Sequence, residues 1–124
     1  MNPYAWQDVT ATFDVHRLTA HTTLIIAAGD FDAAGAEALV ATVAEPLATH
    51  ESIVLSLAQC RRIDCVAIAV CDQIVGTLHP GQHFVVVIDD RNSALSFFEQ
   101  DRIRPISHSP TIAAAVRFLA LVRS

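Results

Sequence analysis

The residues best suited to chemistry fall in a short stretch near the middle of the chain. Cys60, Cys65 and Cys71 lie within twelve residues of one another. Cys65 falls in what reads as the first turn of a helix, where free backbone amides and the helix dipole favour a thiolate. Cys60 is near enough in sequence to pair with it across a short loop, so reversible disulfide formation is one chemistry this stretch could support. The competing role is that of small, inert thiols in a core, and this is the role expected of Cys71. His79 and His83 are four residues apart, but Pro80-Gly81 between them interrupts any helix that would set both rings on one face. The spacing Cys60-x4-Cys65-x5-Cys71 matches no common zinc pattern. No metal and no cofactor is expected.

Catalytic signatures are missing. There is no Gly-x-Ser-x-Gly elbow and no Gly-rich dinucleotide loop. All 8 basic residues are Arg, so no phosphate-cradling loop with its following Lys can exist. The chain reads as a binding module and not an enzyme. Two carboxylates, Asp32 and Asp64, each stand immediately before an apolar run. Helix capping is the primary reading for both, because a carboxylate can accept from the free amides of a first turn. Contact with a partner is compatible with that role.

At 124 residues, 52% hydrophobic and 17% charged, the chain has the balance of a packed domain and not of a disordered one. One domain spanning 1–124 is expected. The net charge of −5 and the lack of a basic face argue against a nucleic-acid partner. The longest apolar runs, Val66 to Cys71 and Phe84 to Ile88, fall far short of the roughly 18–20 residues that span a bilayer, so no direct membrane insertion is expected. The first residues show no basic n-region or apolar h-region of a secretory signal. Three clustered cysteines do not make a secreted disulfide framework, which leaves a reduced, cytoplasmic protein as the expectation.

The elements that must position these residues follow from periodicity. Thr12 to Leu18 alternates apolar and polar side chains like a half-buried strand, and Thr22 to Ala28 is a second strand that Gly29 and Asp30 should break. Ala36, Leu39, Val40, Val43, Ala44 and Leu47 mark one face of an amphipathic helix capped by Asp32, with Pro46 unsettling its last turn. Ile53 to Leu57 reads as a buried parallel strand. Residues 65 to 78 form a second, largely apolar helix opening at Asp64. Phe84 to Ile88 is the plainest strand, Ser93 to Gln100 a short helix, and Pro105-Ile106-Ser107 a brief edge strand. Ser109-Pro110 should cap and open the last helix. The order β-β-α-β-α-β-α-(β)-α predicts an α/β fold: a mixed four- to five-stranded sheet with helices packed against it.

In that order, Gly29-Asp30-Phe31-Asp32, the strand Ile53 to Leu57, and Arg62-Ile63-Asp64-Cys65-Val66-Ala67 resemble the STAS domain. That family includes anti-sigma-factor antagonists and the cytoplasmic tails of sulfate transporters. Its members carry a Gly-x-Leu-Asp signature ahead of the first helix and an Asp-Ser-Ser-Gly motif at the start of the second. The resemblance spans about Phe13 to Leu121. It places Cys65 at the first Ser, Val66 at the phosphoacceptor Ser and Ala67 at the Gly, so the family's phosphorylation position has no hydroxyl here. The nearest hydroxyls, Ser56 and Thr77, are poorly placed to substitute. The resemblance implies a regulatory protein that binds an anti-sigma factor of the histidine-kinase-like ATPase class through Asp32, Asp64, Cys65, Val66 and Ala67. Phosphate would normally add roughly −1.5 to −2 charge at that contact, and Val66 keeps it uncharged. Two alternatives are an accessory subunit of a transport system and a thiol-based regulator using Cys60 and Cys65. The oligomeric state is left open.

Overall fold

The computed structural model describes residues 11–99 and 106–123. Among the described residues nine elements follow one another: β1 (Thr12–Thr19), β2 (Thr22–Phe31), α1 (Ala33–Ala48), β3 (Ser52–Ile63), α2 (Cys65–Gly76), β4 (Phe84–Val87), α3 (Leu95–Glu99), β5 (Ser107–Ser109) and α4 (Ile112–Arg123). The strands form one sheet in the order β1-β2-β3-β4-β5. β1 pairs antiparallel with β2 as a hairpin, and every later pairing is parallel. Parallel neighbours need crossovers, and α1, α2 and α3 supply them.

The central strands are apolar on both faces because both are covered. On one face, Ile25, Ala27, Ile53, Leu55, Leu57, Phe84 and Val86 pack with α1, α2 and Phe98 of α3 in the larger core. On the other, Leu24, Val54, Val85 and Val87 meet Ala115 and Leu119 of α4. Each of the larger side chains contributes about 1.5–3 kcal/mol by leaving water. Among the described residues, no helix is long and apolar enough to cross a membrane.

Several expectations are corrected. Gly29 and Asp30 do not end β2. Gly29 takes φ +96°, a backbone conformation open to glycine, and the strand continues to Phe31. β1 is exposed along nearly its whole length, with only Phe13 half-buried. Among the described residues it is the sheet edge and pairs with β2 alone. α1 runs through Pro46 to Ala48, with Pro46 itself buried. Its buried stripe is Ala36, Leu39 and Val43, while Val40 remains 50% exposed. α2 stops at Gly76, short of residue 78. Ser109 does not cap α4: its carbonyl accepts from the Ile88 amide as part of β5, and Thr111 caps instead, its Oγ1 accepting from the Ala114 amide at 3.0 Å. Gln100 and Pro105 lie outside the described residues.

The end of the sheet where the parallel strands begin is tied by one buried carboxylate. Glu51 accepts from Thr23 Oγ1 at 2.7 Å and Thr49 Oγ1 at 2.5 Å, and Arg17 lies 3.0 Å away. Its backbone carbonyl accepts from Gln82 Nε2 at 2.7 Å. One residue thereby joins the hairpin, the end of α1 and the turn before β4.

Candidate functional site

The site lies at the opposite end, where the parallel strands finish, and an unequal strand length creates it. β4 pairs with β3 only along Ile53 to Ser56. The outer half of β3 continues beside β2 alone as far as Ile63. Two register shifts, after Ile26 and after Gly29, let β3 take up two more residues than β2. Such bulges re-aim side chains at the end of a strand. Here they bring Arg62 opposite Asp30 and Ile63 opposite Phe31. The Asp64 amide then donates to the Phe31 carbonyl at 3.0 Å. The first turns of α1 and α2 therefore start side by side.

Asp32 caps α1 as expected, its Oδ1 accepting from the Gly35 amide at 2.9 Å. Asp64 occupies the equivalent position before α2, but its carboxylate makes no capping hydrogen bond. The sequence expectation of a side-chain cap fails there, and the backbone serves instead: the Asp64 carbonyl accepts from the Ala67 amide at 3.0 Å. Its side chain is left available. A small open cleft of about 150 Å³ separates the two helix starts, lined by Asp30, Phe31, Asp32, Arg62 and Asp64.

Next along, α2 turns Cys65 and Val66 outward. Cys65 is exposed with a free thiol, and Val66 is 49% exposed, an apolar side chain standing in solvent at the first turn. Ala67 points inward and is fully buried in the main core. Of the five residues the resemblance singled out, Asp32 and Asp64 line one cleft, Cys65 and Val66 are exposed on the first turn of α2 just after Asp64, and Ala67 is buried. Ser56 is buried in mid-strand and Thr77 is at the far end of α2, so neither hydroxyl reaches this surface.

Cys60 has different surroundings. It lies on β3, buried, facing the core. Burial, and secondarily the negative charge of Asp30, pushes its thiol up to about 11. The accessible thiol is therefore that of Cys65. Beside Cys60, a wider cleft of about 460 Å³ opens past the ends of β3 and β4, with Arg61, Asp89, Arg91 and Asn92 along its wall. Arg91 clamps Asp89 at 2.7 and 3.1 Å. These hydrogen bonds hold the carboxyl below its usual range.

Asp30, Arg61 and Arg62 went unrecognised as part of the site. One oxygen of Asp30, Oδ1, is enclosed without a hydrogen-bond partner, with the Arg61 guanidinium 3.5 Å from it in an ion pair. The signal was present in the run Gly29-Asp30-Phe31-Asp32, whose alternation puts the two carboxylates two residues apart. Reading Asp30 as a strand breaker hid it. The histidines are elsewhere. His79 stacks on His50 with ring centroids 3.9 Å apart, while His83 meets Phe118 edge-on.

No protein-family model matches the chain, and no curated protein matches it. Solved structures do. An anti-sigma factor antagonist from Mycobacterium paratuberculosis superposes with a TM-score of 0.76 at 17% identity, over 92% of this chain and 95% of that one. The anti-sigma factor antagonist SpoIIAA in its unphosphorylated form gives 0.69 at 13% identity, over 88% and 98% of the two chains. The Bacillus cell-fate determinant SpoIIAA in its phosphorylated form gives 0.64 at 13% identity, over 86% and 99%. The chain has the STAS fold of these anti-sigma factor antagonists.

Proposed function

We propose that this STAS-fold chain is a regulatory binding protein of the anti-sigma-factor-antagonist kind, docking on an anti-sigma factor through the surface formed by Asp32, Asp64, Cys65 and Val66. The observation that carries this reading is Val66. A half-exposed valine at the first turn of α2 stands where the resemblance puts the phosphoacceptor serine. An apolar side chain flanked by carboxylates with spare hydrogen-bonding capacity is what a protein partner can use: an apolar contact at the centre and polar contacts at the rim. No group on this chain is asked to make or break a bond.

SpoIIAA exists in unphosphorylated and phosphorylated forms. In this chain the corresponding position cannot accept phosphate, so no phosphate charge is added to the docking surface when a kinase would otherwise switch it off. The partner is an anti-sigma factor of the histidine-kinase-like ATPase class, and binding releases a sigma factor by competition.

The test is a calorimetric titration against the anti-sigma kinases of the source organism with ATP present, followed by intact-mass measurement. Micromolar or tighter binding with an unchanged mass supports the reading. Binding to none of them, or a phosphorylated product at residues 65–67, overturns it.

A further inference from the structure

Among the described residues the sheet has two edges, and they differ. β5 offers three residues, whereas β1 offers eight, Thr12–Thr19, almost all exposed. A long open edge is a template for another strand. β1 also carries apolar side chains into solvent on both faces of the sheet: Val15 is 54% exposed and Leu18 37% exposed.

Symmetry limits how this edge can pair with itself. Two copies that continue one sheet through antiparallel edges are related by a two-fold axis perpendicular to the sheet. Directly opposed residues must then lie on the same face, and side chains alternate faces with period two. The opposed residue numbers must therefore sum to an even number, and the axis passes through a residue. Three central registers remain. An axis at Asp14 sets two carboxylates face to face. An axis at His16 opposes the two imidazoles and sets Val15 against Arg17. An axis at Val15 opposes each Asp14 with the His16 of the other copy, twice, and buries Val15 against its own symmetry mate. Asp14 and His16 lie opposite Ile26 and Leu24 of β2, so both are on the α4 face, and both are exposed. In the same register Phe13 faces Arg17, and the irregularity between Arg17 and Thr19 ends the regular stretch there.

From this complementarity we propose that a second copy of this chain docks on the free edge of β1, antiparallel, with the two-fold axis at Val15, to make a ten-stranded sheet. Cross-strand side chains that can hydrogen-bond stabilise such an edge, as an imidazole N–H facing a carboxylate can, and like charges directly opposed destabilise it. The proposal does not depend on the anti-sigma reading, because the edge and the α2 surface are different places on the molecule.

Sedimentation velocity over roughly a hundredfold range of concentration tests it, since a dimer responds to mass action. The expected result is a monomer–dimer equilibrium. His16→Asp, which puts a carboxylate opposite Asp14 twice, should raise the dissociation constant roughly tenfold or more. Combining it with Asp14→Arg should restore association, because the pairs are then Arg with Asp. Both positions are exposed, so circular dichroism should show each variant folded. A monomer throughout the range overturns the proposal. So does a dimer that ignores His16→Asp, or one that the charge exchange fails to rescue.

Discussion

Replacing Glu51 by Gln tests whether its carboxylate ties the base of the sheet together. The two side chains have nearly the same shape, so only charge and donor pattern change. The carboxylate accepts from Thr23 Oγ1 at 2.7 Å, from Thr49 Oγ1 at 2.5 Å and from Arg17 at 3.0 Å. Thr23 is 3% exposed and keeps a neutral acceptor in the Gln variant. A hydrogen bond to a charged group is about twice as strong as a neutral one, so about 1 kcal/mol is lost there. Thr49 loses less, because its hydroxyl also lies 3.1 Å from the Glu45 carbonyl and 3.2 Å from that of Pro46. The Arg17 side chain is 58% exposed, and a surface ion pair adds only a few tenths of a kcal/mol. The expected loss is about 1.5 kcal/mol, or about 6 °C in Tm for a domain of this size. The Thr49 hydrogen bond, then that from Thr23, holds the Glu51 carboxyl below its usual 4.5. A depressed folded-state pKa adds stability that is present above the unfolded value and is lost as pH falls through the folded one. The gap between wild type and Glu51→Gln in urea melts should be full near neutrality and close below 4.5. Equal stabilities at neutral pH, or a gap that persists in acid, would refute the assignment.

Val66→Ser should leave stability nearly unchanged, since Val66 is 49% exposed. With the partner kinase and ATP it should gain the mass of one phosphoryl group where wild type gains none. A limited pulse of a thiol-alkylating reagent should label Cys65 alone; Cys60 and Cys71 are buried, and the Cys60 thiol is raised to about 11. Peptide mass mapping reads this, and comparable labelling of Cys60 would contradict its placement. Gly35→Ala should destabilise by about 1 kcal/mol despite alanine's higher helix propensity. The new Cβ meets Phe31 Cδ1 at 3.2 Å, and that ring is 1% exposed and held edge-on by Phe13. Thermal melts decide the sign.

The fold was legible because its signals were local. Phe84-Val85-Val86-Val87 could be little but a covered strand, and the Leu39 and Val43 stripe could be little but a buried helix face. The alternation of elements then left few sheets to build. What could not be read were features that depend on two segments at once. The two bulges in β3 exist only relative to β2, so nothing within Ile53 to Ile63 announces that the strand outruns its neighbour. Cys60 falls beyond the strand expected over Ile53 to Leu57 for that reason and is instead a buried strand residue. Asp30 was misread because a Gly-Asp pair usually ends a strand, whereas Gly29 absorbs the bulge at φ +96° and lets the pairing run on. Ser109 was mistaken for a cap because Ser-Pro is a strong local signal, and its tie is to Ile88, just past the end of β4 and 21 residues earlier.

The two carboxylates before α1 and α2 show how a structural residue can be told from one kept for a partner. Asp32 accepts from the Gly35 amide at 2.9 Å, and its removal should cost about 1 kcal/mol, the usual value of a cap. Asp64 has the same position relative to its helix and makes no such bond, so Asp64→Ala should cost well under half as much. Binding should respond in a different order if Asp64 contacts the anti-sigma factor. Asp64→Ala should then weaken association while leaving the urea midpoint nearly in place, and Asp32→Ala should move the midpoint. Parallel urea melts and calorimetric titrations of the two variants separate the effects. If Asp64→Ala destabilises as much as Asp32→Ala and leaves binding intact, Asp64 is a cap after all, and the docking surface must be redrawn around Val66 without it.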